Sequence, residues 1–202
     1  MFNRTENLSQ YIKLYPVISI LIAINIIVYL LGMIPSLGLN ILNLGASVNY
    51  LIADGEYWRL ITSMFIHGGF FHLLFNMFSL YVFGPELERI AGKLRFFTIY
   101  FISGFMGNVI SYLTQPLNYA SIGASGAIFG IFGAFAALVY YTRKTMPQLK
   151  QIIMPIIVIS IIMTFLQSDV NGTAHIVGLV TGLIIGLFDF HPKRVLRWIK
   201  RN

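Results

Sequence analysis

The amino-acid sequence predicts an all-α integral membrane protein, a bundle of six transmembrane helices, and three observations carry that prediction. Apolar residues fill 57% of the 202 positions and charged residues 10%, whereas a soluble domain carries about 25% charged residues. The mean hydropathy is +0.77. Long charge-free runs, near the roughly 20 residues a helix needs to cross the hydrocarbon core, alternate with short basic clusters.

The spans follow in order. The first is expected from about Val17 to Ile34, closed by Pro35, and the second from Leu60 to Phe83. The stretch 96–142 is too long for one helix. It breaks at Thr114-Gln115-Pro116-Leu117-Asn118, giving spans Phe96–Leu113 and Gly123–Tyr141. A fifth span, 151–167, is short and contains Pro155, and a sixth runs from Thr173 to Phe188. The length suits one compact membrane domain over 1–202. Between spans one and two, residues 35–58 mix Leu and Ile with Asn40, Asn43, Asn49, Asp54 and Glu56. Such a segment is expected in the outer interface, with Tyr57 and Trp58 at headgroup depth. The absence of an internal repeat leaves a paired-repeat transporter plan unsupported.

Charge orients the bundle. Arg4 and Lys13, then Arg89, Lys93 and Arg95, then Arg143, Lys144 and Lys150, and the tail from Lys193 to Arg201 fall on one side of a six-span plan, leaving Arg59 on the other. The positive-inside rule puts that side, with both termini, in the cytoplasm of a cell-membrane protein. The net charge of +7 is loop charge of this kind. It forms no basic stripe with interleaved aromatics, so nucleic-acid binding is not expected. The first apolar run lacks a small-residue cleavage site, so a cleaved signal peptide is not expected, and nothing resembles an Arg-rich, Ser-rich transit peptide. Cysteine is absent, which excludes a thiol nucleophile, thiolate metal ligands and disulfides.

The polar residues inside the spans carry the chemistry, since ionisable groups in a membrane usually face the bundle interior. Three clusters stand out: His67 to Asn76 at the start of span two, Gly123-Ala124-Ser125-Gly126 at the start of span four, and Thr173-Ala174-His175 at the start of span six. Even-numbered spans run from outside to inside, so all three are expected at one depth in the outer half of the bilayer, as in a shared site. Ser125 is a candidate nucleophile, and Gly123 and Gly126 permit close backbone approach and free amides at a helix start. The bland alternative for this tetrapeptide is a small-residue packing motif. His175 is a candidate general base; the alternative is a structural histidine bonded to a backbone carbonyl. Gly178 and Gly182 form a small-xxx-small face that brings span six close to span four. His72 and Asn76, four apart, share a helix face and can donate hydrogen bonds to an oxyanion. His67, five before His72, is expected to point elsewhere. No carboxylate accompanies the three histidines, so no metal is expected. Asp189 lies about 21 Å from His175 by helical rise, and Asp169 reads as a solvated loop charge. A Ser-His pair without an acidic third member is therefore favoured.

Taken together, these motifs resemble the rhomboid family of intramembrane serine proteases in its six-span form. The matching pieces are Trp58-Arg59, His67/His72/Asn76, Gly84-x-x-x-Glu88-x-x-x-Gly92, Gly123-Ala124-Ser125-Gly126 and Ala174-His175-x-x-Gly178-x-x-x-Gly182. The resemblance implies Ser125 as acylated nucleophile, His175 as base, and His72, Asn76 and the Ser125 amide as oxyanion hole. It also implies Phe129 packed on the histidine, where many members carry Tyr. Trp58 and Arg59 would anchor the first loop, and His67 would be an accessory histidine. Span five and the loop 167–172 would act as gate and cap. No cofactor is implied; the partners would be single-span transmembrane substrates and the lipid bilayer itself. Two other readings remain: a catalytically silent relative that binds membrane proteins, expected to lack Ser125 or His175, and a transporter, expected to hold an acidic residue in mid-span.

Overall fold

The computed structural model describes residues 4–167 and 170–190. Asp169 and the basic tail from Lys193 onward, both used in the sequence reading, lie outside these residues.

The first span is preceded by a helix that the hydropathy pattern did not mark. Helix α1 (Leu8–Leu14) opens on a capping box, in which Asn7 and Gln10 each bond the other's backbone amide. Pro16 then starts α2 (Pro16–Gly32) after a turn of 115°. Pro35 does more than stop that span: it is the first residue of α3 (Pro35–Gly45), which suits a residue lacking an amide hydrogen. Gly38 allows α3 to fold back, because a Cβ there would collide with the Gly32 carbonyl. The segment 35–58 is thus structured, as α3, β1 (Ser47–Val48) and α4 (Asn49–Ala53). Strand β1 pairs antiparallel with β2 (Ala120–Ser121), Ser47 opposite Ser121.

Arg59 holds this first loop. It opens α5 (Arg59–Thr62) and is 2% exposed. Its guanidinium donates to the Ala46 carbonyl at 2.9 Å, the Asn43 carbonyl at 2.6 Å and Glu56 Oε2 at 2.7 Å. The Trp58 indole adds a bond to the Leu44 carbonyl at 3.0 Å. Removing the guanidinium strands two carbonyls and a carboxylate, so Arg59→Ala should cost about 3 kcal/mol. Thermal unfolding in detergent checks this, with Arg59→Lys expected to recover only part because it cannot fork to several acceptors.

The second span departs from its expected form. After α5 and one 3₁₀ turn (Ser63–Phe65), the backbone is not helical from Ile66 to Gly69, and α6 (Phe70–Ala91) leaves at 92°. The long helix of this stretch therefore starts at Phe70, and Arg59–Phe65 lies bent against it across the break. Gly68-Gly69 explains the break, since consecutive glycines pay the largest backbone entropy of any non-proline pair in a helix. At its other end α6 continues past Phe83 to Ala91. Glu88 there accepts the Val17 and Ile18 amides at 3.1 and 2.9 Å, satisfying the free donors at the start of α2. Gly84 lets Ile18 pack onto α6. Gly92, at φ +86°, allows α7 (Lys93–Thr114) to follow without a linker.

The last three helices are α8 (Ser125–Thr142), α9 (Pro147–Leu166) and α10 (Gly172–Asp189). Helix α8 is buried along most of its length, with α6, α7, α9 and α10 around it; α9 is itself mostly exposed on its outer side. Asp189 ties the far end of α10 to Arg95 of α7 at 3.3 Å. By length and hydropathy α7–α10 can cross a membrane, and the two bent pairs at the N-terminal side bring the number to six.

Between α8 and α10 the backbones touch. A Cβ at Gly178 would collide with the Gly126 carbonyl, one at Gly182 with the Gly130 carbonyl, and one at Gly133 with the Leu179 carbonyl. Small residues permit this approach, and it maximises van der Waals contact where lipid removes any hydrophobic drive.

Candidate active site

Ser125 is the first residue of α8, capped by Ala124 rather than lying inside a helix that starts at Gly123. Gly123 stands in the approach loop at φ +125°, where L side chains are strained. Its amide donates to the Ser63 carbonyl at 2.9 Å. A Cβ there would also lie 2.7 Å from His72 Nε2, so two constraints demand glycine. Because Ser125, Gly126 and Ala127 form the first turn of α8, their amides lack intrahelical acceptors, and the helix dipole adds positive potential there.

His175 sits in the first turn of α10, 6% exposed. The Asn171 side chain caps that helix by accepting the Ala174 amide at 2.9 Å. Asn171 also donates to Ser111 Oγ at 2.9 Å and Ser121 Oγ at 3.1 Å, tying the start of α10 to α7 and β2. Gln115 adds a bond to Thr173 Oγ1 at 3.1 Å. Held this way, His175 Nε2 lies 2.7 Å from Ser125 Oγ. The Phe129 ring, one turn along α8 from Ser125, stacks on the imidazole with centroids 4.2 Å apart and planes 10° apart. Where side chains are 50 positions apart in sequence, such contact needs the glycine seam just described.

The chain matches the family model of the rhomboid domain over residues 54–192. It is 39% identical over 195 residues to "Putative rhomboid protease YdcA" of Bacillus subtilis (strain 168), across 96% of this chain and 98% of that protein. The chain belongs to the rhomboid family. Further rhomboid relatives include "Rhomboid protease GluP" of the same organism, 38% identical over 139 residues. That match covers 68% of this chain and 27% of GluP. "RHOMBOID-like protein 5" of Arabidopsis thaliana is 38% identical over 149 residues, covering 71% of this chain and 47% of that protein.

In this rhomboid the polar residues of the second span begin with one beside the loop that leads into Ser125. His72, in the first turn of α6, places its ring beside Gly123. Asn76 is buried one turn on, and its amide donates to the His72 carbonyl at 2.7 Å, leaving a second N–H available. His67 does not point elsewhere: its ring meets the His72 ring edge-on with centroids 4.9 Å apart. The five-residue helical offset used in the sequence reading does not apply, because residues 66–69 are not helical. Among the described residues no three His, Asp or Glu side chains come together as a metal site.

One contact escaped the sequence reading. Thr164 Oγ1 on α9 lies 2.9 Å from His175 Nδ1. The available signal was a hydroxyl in an otherwise apolar span, which by itself is far more often bonded to its own helix backbone.

Proposed function

We propose that this rhomboid is an intramembrane serine endopeptidase acting through a Ser125–His175 pair. The observation that supports this most is the 2.7 Å contact between Ser125 Oγ and His175 Nε2 at the start of two helices. Ser125 Oγ attacks a peptide carbonyl carbon while its proton passes to His175 Nε2. The oxyanion so formed meets the Ser125 amide, with His72 and the second N–H of Asn76 as further donors. On collapse His175 returns the proton to the leaving amine, giving an acyl ester on Ser125. Water, deprotonated by His175, then hydrolyses that ester. Phe129 keeps the imidazole in plane through both halves.

The substrate class is single-span membrane proteins with a locally unwound segment, because helical amides are already hydrogen-bonded and shielded. The site is assigned to the outer half of the cell membrane, with both termini in the cytoplasm, on the distribution of Lys and Arg.

A fluorophosphonate probe on detergent-purified protein tests the reading. Labelling of wild type, lost in Ser125→Ala and His175→Ala, is the expected result. Equal labelling of all three assigns the probe to another nucleophile and overturns it. No labelling of wild type, together with no cleavage of a transmembrane substrate in lipid, leaves a silent binding protein instead.

A further inference from the structure

We infer that Thr164 is a positioning residue that fixes the tautomer of His175, so that the proposed pair works with a third, uncharged partner supplied by α9. The inference rests on the proposed Ser125–His175 reading. It begins with the count of hydrogens. A threonine hydroxyl has one to give. That hydrogen is assigned to the Ser160 carbonyl, which stands 2.9 Å away and can only accept, the usual bond of a helical threonine to its own backbone. The lone pair that faces His175 Nδ1 at 2.9 Å can then only accept. Nδ1 therefore carries the ring hydrogen, and Nε2 turns a lone pair toward Ser125 Oγ, as a general base must.

The placement of Thr164 supports a dedicated role. Helix α9 faces outward along most of its length, and Met163, Phe165 and Leu166 are all exposed. Thr164 among them is buried and directed onto the imidazole. No carboxylate takes this position among the described residues: Asp189 sits at the far end of α10, paired with Arg95. In serine proteases with an acidic third member, that residue orients the histidine and holds its tautomer as well as offsetting its charge. A hydroxyl can do the first two but not the third. Because the partner stands on α9 while the pair stands on α8 and α10, the bond also makes the base depend on the position of α9.

The test compares Thr164→Val, which removes the hydroxyl and keeps the branched shape, with Thr164→Ser, which keeps the hydroxyl. Cleavage of a transmembrane substrate in lipid is measured as kcat and KM, beside the thermal unfolding midpoint. The imidazole ¹⁵N spectrum of histidine-labelled protein is recorded for each, with His175→Ala assigning the signal. Thr164→Val should lose on the order of 10- to 100-fold in kcat, the effect of one lost hydrogen bond to a group that becomes charged. KM should stay within about twofold, since no ground-state contact to substrate is removed. Thr164→Ser should recover most of the rate. The His175 signal should show Nδ1–H in wild type and Thr164→Ser, and a changed tautomer mixture in Thr164→Val.

Wild-type His175 protonated at Nε2 would overturn the inference even if Thr164→Val failed to fold. So would a wild-type kcat in Thr164→Val, or a loss that Thr164→Ser does not restore. Failure of the underlying reading looks different: Ser125→Ala or His175→Ala would then keep cleavage activity, whatever Thr164 does.

Discussion

Ser125→Ala and His175→Ala should each lower cleavage of a transmembrane substrate by roughly 10⁴- to 10⁶-fold, and the double variant should be little worse than either. Residues that act as one unit show that non-additivity, because removing either member already removes the covalent route. The folded state should survive. Ser125 opens α8 and its side chain helps hold neither end of that helix, so an alanine methyl fits there. His175→Ala loses the stack on Phe129 and the contact with Thr164, and it should soften the bundle by about 1–2 kcal/mol. Rates in proteoliposomes beside circular dichroism and unfolding midpoints check the pair of claims. A Ser125→Ala variant cleaving at more than a tenth of the wild-type rate would sink the assignment.

The second large effect lies outside the reacting groups. Gly178→Leu should bring cleavage below detection while helical content is retained. Its Cβ would enter the space of the Gly126 carbonyl, so α10 must move away from α8 or rotate. Either motion lengthens the 2.7 Å contact from Ser125 to His175, and misplacement by about 1 Å can cost 10²-fold. A leucine moves the helices by more than that. Gly32→Leu supplies the control, because nothing lies within 4 Å of a Cβ at Gly32. A fully active Gly178→Leu would show that the seam tolerates separation and that the pair is held by other contacts.

Much of this fold was legible because a membrane restricts what a chain can do. The apolar runs located the long helices, and intramembrane polar residues singled out Ser125, His72 and His175. What the sequence hid has physical causes. Helix α1 carries Ser9, Gln10 and Lys13 between its apolar residues, so a hydropathy window passes over it although Asn7 caps it well. The break at residues 66–69 looked like the interior of an apolar run, and treating it as helix turned His67 the wrong way. Glu88 read as one letter of a spaced motif; only the packing of α2 on α6 reveals it as the acceptor for Val17 and Ile18. Thr164 was the least visible of all. Its contact with His175 depends on how α9 is rotated about its own axis, and a helix exposed on most sides has no strong sequence signal for that rotation.

The backbone contact between α8 and α10 also decides which defects can be repaired. At Gly84 and Gly104 an added methyl would meet side-chain atoms, of Ile18 and of Met64 respectively. A smaller residue at position 18 or 64 relieves the closest of these contacts, so second-site suppressors are expected for both. At Gly178, Gly182 and Gly133 the obstacle is a peptide carbonyl, and every amino acid brings the same one. No substitution on the facing helix can shrink it. In a reversion screen those three positions should yield only true revertants, which leaves the seam few mutational escape routes.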